Sequence, residues 1–168
     1  MGYTLEQFAS DCHAALERQN GPEGIEAVRR CVEKALKDRE FVDAHLGEDN
    51  DAERKILYED PELKFCILAH VYKGAKGSNP HDHADSWAIY GQAKGVTTMT
   101  DWEKLAPAKN GEPGKVKKVR SYDLEPGMAK AYDIGVLHSP ARAAETRLIR
   151  IEGRNLAGAR RDKYVAVD

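Results

Sequence analysis

The stretch Pro80-His81-Asp82-His83 decides the fold. Successive side chains of an extended backbone point to opposite faces, so the two histidines of a His-x-His pattern point the same way. A third histidine, His138, comes later in the chain, shortly after Gly135. Three neutral imidazoles that leave coordination positions open suit a catalytic first-row transition metal, not a closed structural site. We therefore predict a metal centre on His81, His83 and His138.

Composition narrows the class of protein. The 168 residues and 41% hydrophobic content suit one domain with a core of ordinary size, and we expect a single domain over 1–168. A net charge of −2 gives no sign of nucleic-acid binding. The three cysteines, Cys12, Cys31 and Cys66, are odd in number and far apart, which indicates reduced thiols. With no long apolar run and no signal-peptide pattern, we expect a cytoplasmic protein that binds no membrane, and nothing indicates an oligomer.

The first 47 residues predict two amphipathic helices. Thr4 with Gln7 three residues later is a helix-opening pair, and this helix stops before Pro22. The second helix begins near Pro22 and ends near Leu46-Gly47. Each helix has one apolar face, so the pair is expected to cover another layer of the molecule.

From Arg54 onward the apolar pattern becomes that of strands. The predicted strands are 55–58, 64–73, 87–91, 96–102, 116–124, 129–132 and 144–153, and the tail 160–167 packs back. Segment 64–73 is apolar on both faces, as expected for a barrel wall covered by helices. Segments 87–91 and 96–102 predict a hairpin. We predict an all-β barrel or jelly roll over 54–168 beneath an N-terminal two-helix layer over 1–47.

The two histidine segments resemble the two metal motifs of the cupin superfamily. The second motif is Gly, five residues, Pro-x-Gly, two residues, His, and Gly127 through His138 fits it with Asp133 in place of Pro. The first motif is His-x-His followed by Glu, but no Glu follows His83 at the expected distance, and Trp87 lies in that neighbourhood. A cupin with three histidines and no glutamate is similar to the thiol dioxygenases, the cysteine dioxygenase type family.

This resemblance implies a double-stranded β-helix and a mononuclear Fe(II) centre that inserts both atoms of O2 into a thiolate, giving a sulfinate. The catalytic residues would be the iron ligands His81, His83 and His138, and the partners a small thiol and O2. The same imidazoles also accept Ni, Zn, Mn or Co. A thiolate bound to the metal needs no protein base, because coordination lowers the thiol pKa.

The resemblance also suggests substrate-binding residues. In the family an arginine on an early strand binds the substrate carboxylate, and an ungapped count back from His-x-His puts Lys55 at that place. The same count puts His70 and Tyr72 in the pocket wall. Because lysine is a poorer bidentate partner than arginine, we expect a thiol other than cysteine itself.

Two features of the family are missing from the sequence. The crosslinking cysteine of the mammalian enzymes is matched by Ala88, which excludes a cysteine–tyrosine crosslink. The late-strand Ser-x-His-x-Tyr arrangement is absent from 146–151. We expect Tyr90, Tyr132 or His70 to rebuild the missing network. Two alternatives stay open: a cupin metalloenzyme acting on a non-thiol small molecule, and a non-catalytic metal- or ligand-binding cupin.

Overall fold

Two five-stranded sheets face each other, and helices cover one of them. The computed structural model describes residues 2–167, which form three helices and ten strands. The helices are α1 (Leu5–Arg18), α2 (Pro22–Leu36) and α3 (Arg39–Leu46). The strands are β1 (Lys55–Glu59), β2 (Cys66–Tyr72), β3 (Lys76–Gly77), β4 (Ala88–Lys94), β5 (Thr97–Ala106), β6 (Gly114–Leu124), β7 (Ala129–Tyr132), β8 (Leu137–Arg142), β9 (Thr146–Glu152) and β10 (Tyr164–Ala166).

The strand order is that of a jelly roll. One sheet runs β1-β2-β9-β4-β7 and the other runs β10-β6-β5-β8-β3. Four strands of each sheet, β2-β9-β4-β7 and β6-β5-β8-β3, have the order of a double-stranded β-helix, with β1 and β10 added at the edges. Neighbouring strands are antiparallel except for β10 on β6. The predicted fold class is confirmed, and the tail packs back through β10.

The helical layer has three helices, not the two predicted. α1 begins with the predicted capping box of Thr4 and Gln7, and α2 begins at Pro22. The second predicted helix is divided because the Asp38 carboxylate accepts the Phe41 backbone N–H at 3.1 Å and starts α3. Within residues 2–167, no helix is long and apolar enough to cross a membrane.

The helices and the first sheet share one apolar core. Buried side chains from α1, α2 and α3 pack on Ile67 and Ala69 of β2 and on Ile149 of β9. The buried Arg147 guanidinium fastens this layer to β9, since it donates to the carbonyls of Gly47 at 2.6 Å and Asn50 at 2.8 Å. Those carbonyls follow the last helix, so the bonds tie its end to the sheet.

The other face of β2 points between the sheets. His70 and Tyr72 lie on it, and they pair with Leu148 and Thr146 of β9. All seven residues of β2 are buried, which confirms the predicted two-sided apolar strand. The fold therefore brings inward-facing side chains of β2, β4 and β9 into the space where the metal motifs lie.

The predicted hairpin of segments 87–91 and 96–102 is wrong. β4 pairs with β7 and β9, whereas β5 pairs with β6 and β8 in the other sheet. A register shift between Gln92 and Lys94, followed by Gly95 at φ +75°, takes the chain from one sheet to the other. Strand β8, which carries His138, was not predicted as a strand.

Candidate metal centre

Three histidines meet at the mouth of the jelly roll. His81 and His83 lie on the segment between β3 and β4, and His138 lies on β8. The His81 and His138 backbones exchange two hydrogen bonds, each 2.9 Å long, which hold the two segments side by side. One ring nitrogen from each histidine lies within 4.8 Å of the others. The structure thus brings together the three ligands predicted from the sequence.

Backbone carbonyls fix the tautomers of two of these rings. Nδ1 of His81 lies 2.8 Å from the Asn79 carbonyl oxygen, and Nδ1 of His138 lies 3.1 Å from that of Val136. A carbonyl only accepts, so each Nδ1 carries the proton and donates it. The lone pair of each ring is then on Nε2, the atom available to a metal.

Burial keeps the three imidazoles neutral. It lowers the pKa of His81 to about 4, and it lowers the pKa of His83 and of His138 as well. The Arg150 guanidinium lowers these three pKa values further. Neutral imidazole is the form that binds a metal, so no proton has to be displaced from these rings at neutral pH.

The spacing of the nitrogens fits one shared ion. Nε2 of His83 lies 3.0 Å from Nε2 of His138. Two lone pairs this close repel unless a proton or cation lies between them. Nitrogens each about 2.1 Å from one ion, at right angles, lie about 3 Å apart. The donor set therefore fits a first-row transition metal.

The donor set contains no carboxylate. Among residues 2–167, the only other group of potential ligands this close together is His13, Glu17 and Glu62, which is separate from this site. Trp87, in the neighbourhood where the cupin motif has Glu, is buried in the core shared with the helices. Asp82 accepts the Ala84 backbone N–H at 3.1 Å and shapes the loop.

Tyrosines surround the histidines. The Tyr90 hydroxyl lies 3.2 Å from Nε2 of His83 and 3.3 Å from Nε2 of His138. Burial raises the pKa of Tyr90, so this hydroxyl keeps its proton and donates. The Tyr132 ring stacks on His138 with ring centroids 4.1 Å apart, and its hydroxyl is hydrogen-bonded to that of Tyr122. These contacts orient His138 from the inner side.

A cavity of about 1030 Å³ opens beside His81. Two of the predicted substrate residues, Tyr72 and Tyr90, line it. His70 does not: it is buried behind Tyr72, with Nδ1 2.6 Å from the Glu53 carbonyl oxygen. Nor does Lys55, whose side chain is exposed on β1 because this residue points away from the space between the sheets.

Two arginines that sequence reasoning missed line the floor of the cavity. The guanidinium carbon Cζ of Arg142 on β8 lies 4.5 Å from the centre of the Tyr72 ring, and that of Arg150 on β9 lies 4.4 Å from the Tyr90 ring. The sequence signal that could have found Arg150 is its place at an inward position of the apolar segment 146–152. A strand there that is buried on both faces must place this charge beside a functional site or a partner.

The charge of the lining is strongly positive. Seven lining side chains are cationic and two, Glu112 and Asp162, are anionic, although the whole chain has a net charge of −2. Besides the two floor arginines, the cationic residues are Lys76, Lys109, Arg160, Arg161 and Lys163. The cavity therefore favours a negatively charged ligand.

The chain was compared with known proteins. No protein-family model matches it, and no curated protein is similar to it in sequence. Solved structures similar to it include a cupin superfamily protein from Desulfitobacterium hafniense (11% identity, 58% of this chain and 72% of that one, TM-score 0.44). Two others are a cupin-2 domain protein from Shewanella frigidimarina (16%, 62% and 83%, 0.44) and KdgF from a Halomonas species (16%, 59% and 76%, 0.44). Two of the three are cupins by description.

Proposed function

We propose that this protein is a mononuclear non-haem iron enzyme that uses O2 to oxidise a small thiol to a sulfinate. The observation that carries the proposal is a set of three neutral imidazoles, without a carboxylate, at the edge of an open cavity. This is the donor set on which the resemblance to the thiol dioxygenases rests. The reaction balances without a further reductant: RS⁻ + O2 gives RSO2⁻, with sulfur losing the four electrons that O2 gains.

Two of the three proposed ligands are held by backbone carbonyls of the chain. When bound, Fe(II) would lower the pKa of a coordinated thiol and activate O2. His81, His83 and His138 would hold it through Nε2, with the Asn79 and Val136 carbonyls fixing two of the rings. These carbonyl contacts raise the basicity of the ligand nitrogens.

Tyr90 and the floor arginines would position the substrate. The Tyr90 hydroxyl keeps its proton and donates toward a group held next to His83 and His138. Arg142 and Arg150 would bind a carboxylate of the thiol, the role that the resemblance had assigned to the position of Lys55. Guanidinium groups bind carboxylates through two parallel hydrogen bonds, which fixes orientation as well as charge.

The cellular location and the partners of the protein stay predictions. Cys12, Cys31 and Cys66 are free thiols, which supports the cytoplasmic location expected from the sequence. The small thiol and O2 are the proposed partners, with no role for nucleic acid or a membrane.

The test is O2 consumption by Fe(II)-loaded protein with cysteine, 3-mercaptopropionate, cysteamine and mercaptosuccinate. We expect uptake with at least one carboxylate-bearing thiol, with one sulfinate formed per O2, measured by mass spectrometry. His138→Ala should lose both the metal and the activity. His45→Gln is the matched control, because His45 lies on α3, outside the site, and should keep both.

Iron-loaded protein that consumes no O2 with any of these thiols would contradict the proposal. The all-imidazole centre and the cationic cavity would then favour the alternative enzyme class, a metalloenzyme acting on a non-thiol anion. Binding of the metal and of anions without turnover of any kind would favour the non-catalytic alternative.

A further inference from the structure

The floor arginines have hydrogen-bonding capacity that the protein leaves unused. Arg142 is 6% exposed, and its Nε donates to the Thr97 hydroxyl at 3.1 Å, but its buried Nη2 has no partner among residues 2–167. Arg150 has a buried Nε without a partner in the same range, and its nearest carboxylate oxygen, on Glu152, lies 3.7 Å away. Buried guanidinium nitrogens without a hydrogen-bond partner are costly, so two arginines with such nitrogens in the lining of one cavity favour an anionic ligand there.

The rim of the cavity carries a second, separate group of cations. Arg160, Arg161 and Lys163 come from the C-terminal tail, and Lys109 comes from the loop between β5 and β6. The three tail side chains are exposed and form no ion pair with any residue from 2 to 167. Glu112 and Asp162 lie on the same rim, and these two carboxylates do not offset the four cations.

The tail is fastened in place, so the rim charges are not those of a free end. β10 pairs in parallel with β6, and the Gly114 backbone N–H donates to the Lys163 carbonyl at 2.8 Å. The Tyr164 side chain is buried, and the Lys104 ammonium lies 5.3 Å from the centre of its ring.

The volume of the cavity indicates that one small ligand group would not contact both groups of cations. At about 1030 Å³ it lies at the upper end of the range for pockets that take drug-sized ligands. A thiol with one carboxylate would satisfy the floor arginines and leave the rim without a counter-charge. A longer molecule with a charge at each end would satisfy both.

We propose that the cavity binds an elongated organic dianion, with one anionic group on Arg142 and Arg150 and the other on the rim cations Arg160, Arg161 and Lys163. The inference rests on the proposed function, because it takes the cavity beside the histidines as the substrate site. It narrows the substrate class to thiols with two anionic groups, carboxylate or phosphate, and disfavours cysteine, whose ammonium would face the same cations.

Calorimetric binding of thiol-free probes tests the inference without turnover. The probes are the dicarboxylates malonate to adipate, the matched monocarboxylates acetate to hexanoate, and ω-phosphonocarboxylates of the same lengths, with Zn(II)-loaded and with metal-free protein. We expect one dicarboxylate length to bind at least tenfold more tightly than its matched monocarboxylate, in both forms of the protein. A phosphonate arm that binds more tightly than the carboxylates would identify a phosphate at one end.

Variants assign the two ends. Arg150→Gln should weaken dianion and monoanion alike by tenfold or more, whereas Arg161→Gln should weaken only the dianion, toward the affinity of the monoanion. Arg120→Gln removes the same charge on β6, outside the cavity, and should change neither. Arg161 is exposed, so its variant stays informative if replacing Arg150 prevents folding.

Equal affinity for dicarboxylates and monocarboxylates, no binding of either, or equal effects of Arg161→Gln and Arg120→Gln would overturn the inference. These outcomes are independent of the proposed reaction. Thiol oxidation without dianion preference would leave the reaction standing and remove the second anion site. Dianion preference without thiol oxidation would leave the site standing and remove the reaction.

Discussion

Tyr90 places a protonated hydroxyl against two of the proposed metal ligands, and the loss of this contact should cause a specific defect. Tyr90→Phe removes the hydroxyl that lies 3.2 Å from Nε2 of His83 and leaves the buried ring in place. We expect the metal content to be unchanged, because the three imidazoles remain. Turnover should fall about a hundredfold, as when one hydrogen-bond donor is removed from an active site. Metal analysis and O2 consumption measure the two quantities separately.

Tyr58→Phe is the matched control for this loss. Tyr58 lies on β1, and its hydroxyl donates to Asp60, outside the cavity. This variant should keep full activity even if its stability falls. The same activity in Tyr90→Phe as in the wild-type protein would show that the hydroxyl only fills space.

α2 lies so close to β4 that one added methyl group would overpack the contact between them. A Cβ on Gly91 would overlap Cγ1 of Val32 and lie 3.0 Å from Cδ1 of Leu36, both on α2. We therefore expect Gly91→Ala to lower the free energy of unfolding by about 1–3 kcal/mol, the usual cost of an overpacked core. Urea denaturation of the metal-free protein measures it.

Two variants check the cause of this destabilisation. Gly74→Ala adds the same methyl group where no atom lies within 4 Å, and it should leave the stability nearly unchanged. Combining Gly91→Ala with Val32→Ala should cost less than the sum of the two single variants, because the second change makes room for the first. Additive losses in the free energy of unfolding would show that α2 already shifts to accommodate the methyl group.

The histidines as a set predict how stability depends on pH. Burial lowers the pKa of five of the six histidines, and only that of His13 is raised, by its hydrogen bond to Asp60. The five are His45, His70, His81, His83 and His138. Below the unfolded-state histidine pKa of about 6.5, the unfolded chain binds protons that the folded chain does not bind. The free energy of unfolding therefore decreases as the pH is lowered. His13 opposes this, because its contribution is present at low pH and is lost as pH rises through its raised pKa.

We expect the metal-free protein to lose stability between pH 6.5 and 5.5, by roughly 1 kcal/mol for each of the four most deeply buried histidines, His70, His81, His83 and His138. This window lies above the range in which carboxylates titrate. Urea denaturation across it measures the slope. His70→Gln should make the loss shallower, and His13→Gln should make it steeper. A stability that stays constant or rises toward pH 5.5 would contradict the prediction.

Many features of this structure can be predicted from local sequence patterns. The capping box of Thr4 and Gln7 and the start of a helix at Pro22 depend on residues within a turn of one another. The strand-like pattern of apolar residues from residue 54 onward likewise predicted the jelly roll. His81, His83 and His138 were found because their spacing and neighbouring glycines belong to two short motifs. Local rules were sufficient wherever the deciding interaction lies within a few residues.

Other features were decided only when distant strands met. The chain crosses between sheets after β4, so a turn signal that predicts a hairpin joins strands that never pair. The cation of the site was expected at Lys55, yet the pairing of β9 with β2 and of β8 with β3 and β5 puts Arg150 and Arg142 in the lining of the cavity beside His81. Which face of a strand carries a charge into the cavity depends on pairing with residues far away in the chain, and a shift of one residue would reverse it. The sequence by itself determined the fold class and the three candidate metal ligands, and the tertiary structure decided what surrounds them, because strand register is a property of the assembled sheets.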